Sequence, residues 1–200
     1  MESKELTIVI VTFKSDEKII NCLKSISNNT PVIVVENSDN KDFKTKVENI
    51  FTNVNCILVG ENKGYSTANN IGLKSVKTKY ALVLNPDTIL DKDAIKNFFT
   101  TKEQVKDFWL IGPANNQIVN FNENDSNVKE VNNLKGFAIF LNLSKFNQDY
   151  FDENFFLFFE EIDLCRRVKK NKGKIYLDKY IYIKHDGASS VNKINKLDLE

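Results

Sequence analysis

Little in this chain would staple it, span a membrane or give it a strong field. It has three cysteines, Cys22, Cys56 and Cys165, far apart and odd in number, with no C-x-x-C pair. That excludes a disulfide framework and a zinc ribbon, and each thiol is expected to be a small buried hydrophobe in a reducing compartment. Three prolines and seven glycines are too few for a fibrous or low-complexity chain. The longest apolar runs, at 8–11 and 33–35, fall far short of the roughly 20 residues that cross a bilayer. The charged opening at 1–5 runs straight into a strand-like segment, unlike a secretory signal. Net charge is lacking too: 28 Lys and Arg against 27 Asp and Glu leave +1. There is no electrostatic reason to expect nucleic acid or a bulk anionic surface as the main partner. The basic run Arg166-Arg167-Val168-Lys169-Lys170, with Lys172 and Lys174, reads as a solvated helix face that could touch acidic headgroups. A soluble, cytoplasmic protein is expected.

What is present is enough for one core. Two hundred residues, 42% of them hydrophobic, bury on the order of 70% of their extended surface without staples. The β-branched run at 6–13 reads as a strand covered on both faces. Ser15 or Asp16 then caps a helix whose apolar positions are Ile19, Ile20, Leu23 and Ile26. Strands at 32–35, 56–60 and 80–84 alternate with helices at 42–51 and 66–76, which predicts a parallel sheet with right-handed crossovers. The second half is less regular. Strands are expected at 108–111, 117–121 and 137–141, an Asn-rich loop over 115–133, a helix over 160–172 stopped by Gly173, and strands near Ile175 and Ile181. No repeat and no linker divides the chain, so the reading is one mixed α/β domain over 1–200.

Ligands of open α/β sheets bind outside the carboxyl ends of the strands. Three such ends carry acids or amides: Glu36-Asn37-Ser38-Asp39, Glu61-Asn62-Lys63-Gly64 and Asn85-Pro86-Asp87. Gly64, ahead of a helix, would let backbone N–H groups approach a phosphate. Neither G-x-G-x-x-G after the first strand nor G-x-x-x-x-G-K-[ST] is present, which disfavours a dinucleotide fold and a P-loop enzyme.

Over nearly its whole length the chain resembles the family 2 glycosyltransferases of the GT-A fold, in particular their bacterial rhamnosyltransferase-like branch. The resemblance rests on Val11-Thr12-Phe13-Lys14, Val34-Val35-Glu36-Asn37-Ser38, Glu61-Asn62-Lys63-Gly64-Tyr65 with Asn69-Asn70-Ile71-Gly72, and Leu84-Asn85-Pro86-Asp87-Thr88. It continues through Gly136-Phe137-Ala138, Phe151-Asp152-Glu153-Asn154-Phe155-Phe156, Glu160-Glu161-Ile162-Asp163-Leu164-Cys165-Arg166-Arg167, and His185 followed by Ser189. Eight motifs in the right order make the signal specific. It implies a Rossmann-like, mostly parallel mixed sheet flanked by helices, with a nucleotide-binding half over 1–90 and an acceptor and catalytic half over 91–200.

The implied reaction moves a sugar from a UDP- or dTDP-linked donor to an acceptor hydroxyl with inversion, in cell-surface polysaccharide or glycan synthesis. Asp87 matches the last acid of the family's D-x-D motif, Asn85 replacing the first, and with His185, the chain's one histidine, it is expected to hold Mn2+ or Mg2+. Glu36 stands where the family carries an Asp that accepts the N3–H of uracil or thymine. Thr12 and Phe13 would flank the base, and Asn62, Gly64 and Asn69 would lie near ribose, diphosphate or sugar. The family's E-D-x-D places the base at Glu161, with Asp163 in reserve, and Gly136 and Glu160 by the acceptor. The run Phe155-Phe156-Leu157-Phe158-Phe159 is expected to pack as core beneath the acceptor site. A glycan or lipid-linked acceptor, peripheral membrane association at the inner membrane face, and a homodimer or partner completing C-terminal elements are all left open. Absence of Q-x-x-R-W points to a single transfer per encounter. The alternatives are a GT-A module that binds nucleotide or a protein without catalysis and, more remotely, a sugar nucleotidyltransferase, whose Gly-rich basic loop is missing.

Overall fold

The computed structural model describes residues 4–14, 16–115, 121 and 126–185. Strands β1 (Leu6–Thr12), β2 (Val32–Glu36) and β4 (Tyr80–Leu84) are buried at every position, as continuous Val/Ile/Leu runs require when both sheet faces are covered. Strand β3 (Val54–Leu58) lies at the edge and is only partly buried. Helices α1 (Asp16–Lys24), α2 (Lys41–Ile50) and α3 (Gly64–Ser75) connect them. The α2 start is capped by Asn40, whose Oδ1 accepts the Phe43 N–H at 2.9 Å.

Beyond β4 come β5 (Thr88–Leu90), α4 (Ala94–Val105), β6 (Leu110–Pro113), β7 (Val128–Glu130), β8 (Ala138–Asn142), α5 (Glu160–Lys170), β9 (Ile175–Asp178) and β10 (Ile183–His185). One sheet runs in the order β3-β2-β1-β4-β8-β6-β9-β7, and β5 pairs with β10 in a separate ribbon. The pairs among β3, β2, β1 and β4 are parallel, as is β6 with β9. Strand β8 runs antiparallel to both its neighbours, and β7 antiparallel to β9.

Alternate residues of each strand divide the core into two layers. Leu6, Ile8 and Ile10 pack with α1, α2 and α4, while Val9, Ala81 and Val83 pack with α3 and α5. In the first layer Phe140 stacks on Tyr80, Phe98 and Phe108 at centroid separations of 5.1–5.7 Å. In the second, α3 lies so close to the sheet that a Cβ at Gly72 would stand 2.5 Å from Val9 Cγ1. All three cysteines are free and buried, and burial pushes each thiol up to about 11, so they stay protonated at neutral pH.

Several expectations are corrected. Residues 128–130, read as loop, add an edge strand to β9. Helix α4 and strand β5 had no counterpart in the sequence reading. The last strand begins at Ile183, two residues beyond Ile181. The final helix ends at Lys170, with Lys172 in the left-handed region before Gly173. The strand expected at 117–121 falls almost wholly outside the described residues. Most consequential, Phe156 to Phe159 are not core: they are 56, 37, 52 and 65% exposed. Phe158 and Phe159 both adopt positive φ, near 70°, and that backbone turns the run outward instead of continuing it as a buried strand.

Candidate active site

The chain runs outward from β1 to β2 and β3, then returns to β4 on the other side of β1. That reversal leaves a crevice outside the carboxyl ends of β1 and β4. Thr12 closes β1 and lies in register with Glu36 at the end of β2. Phe13, next along, is 38% exposed. Among the described residues, five buried side-chain oxygens lack a partner, those of Thr12, Asn53, Ser66, Asn69 and Glu160. All but that of Asn53 belong to the end of β1, the first half of α3 or the start of α5. Each such orphan costs about 1–3 kcal/mol. Their gathering at one end of the sheet marks a polar surface whose partners are not among the described residues.

The loops of this end are tied to one another by side-chain amides. Asn37 Nδ2 donates to Asn62 Oδ1 at 2.8 Å and to the Gly64 carbonyl at 3.2 Å, and Asn37 Oδ1 accepts the Lys63 N–H at 3.1 Å. Asn62 Oδ1 also accepts the Gly64 N–H at 3.1 Å, and Tyr65 N–H donates to the Phe156 carbonyl at 2.7 Å. The amides of Lys63, Gly64 and Tyr65 are therefore occupied, which corrects the expectation that this turn offers them to a phosphate. Gly64 serves another need: its φ is +81°, and a Cβ there would meet Phe156 at 2.7 Å. Glu36 is 3% exposed and folds back on its own loop. Its carboxylate accepts from Ser38 Oγ at 2.7 and 2.9 Å, from Ser38 N–H at 3.2 Å and from Asn40 N–H at 3.1 Å. Only one of these bonds ends on Oε1, which keeps capacity for a further donor.

The Asn85-Pro86-Asp87 turn follows β4. Thr88 closes it, donating its hydroxyl to the Asn85 carbonyl at 2.8 Å, and Asn85 N–H donates to the Phe137 carbonyl at 2.9 Å. The β5–β10 pairing sets His185 opposite Thr88, and its ring stacks on Phe137 at 4.8 Å and 7°. His185 Nε2 thereby comes within 3.3 Å of Asp87 Oδ1. Tyr65 hydroxyl donates to Asn85 Oδ1 at 2.8 Å, which turns the Asn85 amino group toward His185 Nε2 at 3.5 Å. In the tautomer that leaves Nε2 unprotonated, it accepts from Asn85 and its lone pair shares one space with the Asp87 carboxylate. Two electron-pair donors so placed fit a divalent cation between them, and the imidazole favours Mn2+ over Mg2+. Among the described residues no three His, Cys, Asp or Glu side chains gather to hold a metal, so a bound ion would take its other ligands from a diphosphate and water.

Helix α5 presents its acids to the same place. Glu160 is 6% exposed and its Oε2 is unpartnered. Burial raises its carboxyl above the usual range, and Glu161 adds to the rise. Burial likewise pushes the Tyr65 phenol up, with Glu160, Glu161 and Asp87 all adding, so these groups share one neighbourhood. The Glu161 side chain lies along Gly136, where a Cβ would stand 3.4–3.6 Å from its Cβ, Cγ and Cδ. Asp163 does not share that freedom. It accepts from Arg167 Nε at 2.7 Å, and the same guanidinium donates to the Tyr150 and Asp149 carbonyls, tying α5 to the preceding loop. Asn69 donates to the Tyr65 carbonyl at 2.9 Å, its Oδ1 remaining one of the orphans. A cavity of about 400 Å³ lies elsewhere, on the flank bounded by Asn70, Lys74, Asp149, Glu153 and Arg167.

The structure thus brings Asn85, Asp87, His185, Glu160 and Glu161 together around Tyr65, with Thr12, Phe13 and Glu36 at the neighbouring strand ends. Sequence reasoning missed Tyr65, Ser66 and Phe137. Tyr65 and Phe137 both stand inside motifs that carry the resemblance, and that was the signal for them.

An open sheet with its crevice at the β1–β4 reversal, an Asn-Pro-Asp turn after β4 and an acid-tipped helix has the GT-A architecture of sugar-transferring enzymes. The chain belongs to glycosyl transferase family 2, which matches residues 7–164. It is 28% identical over 193 residues to the low-salt glycan biosynthesis hexosyltransferase Agl10 of Haloferax volcanii, covering 83% of this chain and 62% of that protein. Its fold matches that of S. aureus TarS 1-349 in complex with UDP-GlcNAc, with a TM-score of 0.70 and 19% identity, covering 92% of this chain and 60% of that one. It likewise matches the mannosyltransferase PcManGT from Pyrobaculum calidifontis in complex with GDP-Man and Mn2+, with a TM-score of 0.70 and 10% identity, over 88% of this chain and 55% of the other. The chain therefore spans less than two thirds of the length of these relatives.

Proposed function

We propose that this chain transfers a sugar from a UDP- or dTDP-linked donor to the hydroxyl of a glycan or lipid-linked acceptor, inverting the anomeric carbon, in glycan synthesis on the cytoplasmic side. The observation that carries the reading is the junction of Asp87, after β4, with His185, delivered from the far end of the chain by the β5–β10 ribbon. Family membership, a hexosyltransferase relative and neighbours holding UDP-GlcNAc or GDP-Man support the reaction class. The rhamnosyltransferase-like branch stays a proposal on the motifs alone.

Asp87 and His185 would hold Mn2+ or Mg2+, which when bound neutralises charge on the departing diphosphate. Thr12 Oγ1 and the open acceptor site of Glu36 Oε1 would read the imide edge of a pyrimidine beside Phe13. Asn69 Oδ1 would accept from a sugar or ribose hydroxyl. Glu161 takes the proton of the acceptor hydroxyl as that oxygen bonds to the anomeric carbon and the bond to the diphosphate breaks on the opposite face. Glu160 would hydrogen-bond the acceptor beside it. Asn62 would lie near the ribose or diphosphate, and Gly64 shapes the turn that holds it there.

The test is release of UDP from UDP-sugars, with water standing in for the acceptor. The wild type should release nucleotide slowly, and Glu161→Gln should lose about 10²–10⁴ of that rate while still binding UDP. A wild type that binds UDP and never turns over would make the chain a binding module instead.

A further inference from the structure

The outward-facing run before α5 is not used by the transfer chemistry proposed above, and its surroundings are specific. Phe156, Leu157, Phe158 and Phe159 are followed one turn on by Ile162, 44% exposed, so five large apolar side chains share one lip of the crevice. Holding Phe158 and Phe159 at φ near 70° costs about 1–2 kcal/mol per residue. The same exposed face of α5 continues from Ile162 to Arg166 and then Lys169 and Lys170, at three- and four-residue spacing. Lys169 reaches Glu130 at 2.8 Å. Arg166 and Lys170 are exposed and have no acidic partner among the described residues. The buried face of the helix is Leu164, Cys165 and Val168.

An aromatic lip followed along one helix by unpaired cations is complementary to a bilayer interface, where rings enter the acyl boundary and cations meet anionic headgroups. We propose that this lip and the outer face of α5 form a membrane-docking surface for anionic phospholipid. Docked this way, the crevice edge bearing Glu161 lies against the bilayer. Membrane contact goes beyond the transfer reaction and does not depend on it: the surface would dock even if the chain had no catalytic activity.

Vesicle co-sedimentation of the full chain tests it, comparing vesicles of phosphatidylcholine alone with vesicles containing phosphatidylglycerol, at low salt and at near-physiological salt. The wild type should bind the anionic vesicles selectively and less at higher salt. Arg166→Gln with Lys170→Gln should weaken binding by about thirtyfold, from roughly fivefold per surface charge. Phe158→Asn with Phe159→Asn should weaken it by on the order of tenfold or more. Asn tolerates positive φ, so that variant keeps the turn, and thermal melting checks that it is folded. Absence of binding to either vesicle overturns the proposal. So does binding indifferent to both double variants, or a wild-type dimer in sedimentation that Phe158→Asn with Phe159→Asn dissolves, which would make the lip a contact between copies.

Discussion

At the scale of single residues, the two adjacent glutamates of α5 are chemically unlike. Glu161 lies along Gly136 and its carboxylate has no hydrogen bond from the described residues, whereas Glu160 is buried with one oxygen unpartnered among them. The raised Glu160 carboxyl has a definite consequence for stability. The folded state holds its proton above the ordinary value of 4.5 at which the unfolded state releases it. Between those two points the native state binds more protons than the unfolded one, so stability falls as pH rises through that window and stays reduced above it. Glu160→Gln should therefore melt higher than the wild type at pH 8 and lose that advantage at pH 4. An equal gain at both pH values would mean that burial of charge is not the cause. Candidate residues at strand ends were legible in the sequence because polar side chains interrupt otherwise apolar runs, as at Glu36 and Asn85. Tyr65 was not, since its bond to Asn85 joins positions twenty apart and leaves no local pattern.

At the scale of elements, the turn into α3 and the turn into α5 are one structure. Phe156 carbonyl accepts the Tyr65 N–H, and the Phe156 ring and backbone fill the space where Gly64 lacks a side chain. Gly64→Ala should cost about 2–4 kcal/mol, from a left-handed residue that also overpacks, lowering the melting temperature by roughly 5–15 °C. Gly60 provides the control. Its φ is +90° but nothing lies within 4 Å of its would-be Cβ, so Gly60→Ala should cost only about 1–2 kcal/mol. Equal losses at the two sites would remove the Phe156 contact from the account. Strands β1, β2 and β4 were readable because burial on both faces leaves nothing but β-branched and aliphatic residues. The three-residue strands β5 and β7 were not, because so short a segment carries no periodicity and pairing alone defines them, and β10 was expected two residues early. The aromatic run at 155–159 misled for a different reason. Hydrophobicity predicts burial, and only the backbone at Phe158 and Phe159 decides otherwise.

At the scale of the whole molecule, the division at residue 90 into a nucleotide half and a catalytic half understates how the chain closes on itself. Strand β8 continues the sheet from β4, and β10 returns from the far end to pair with β5, so His185 reaches a turn one hundred residues earlier. The proposed metal pair exists only because both halves are folded together. Phe140, at the centre of the aromatic stack in the first core layer, measures that unity: Phe140→Ala should cost about 3–5 kcal/mol. Chemical denaturation should show that loss in a single transition common to Trp109 fluorescence and circular dichroism, whereas two separated transitions would mean that the halves fold independently.

The central claim is that Asp87 and His185 complete a metal-assisted nucleotide site, and calorimetric titration with UDP, with and without Mn2+, tests it most directly. The wild type should bind UDP more tightly with Mn2+ present, in preference to GDP, and Asp87→Ala should lose the metal enhancement while keeping the metal-free affinity. Mn2+ enhancement that survives unchanged in Asp87→Ala would contradict the account.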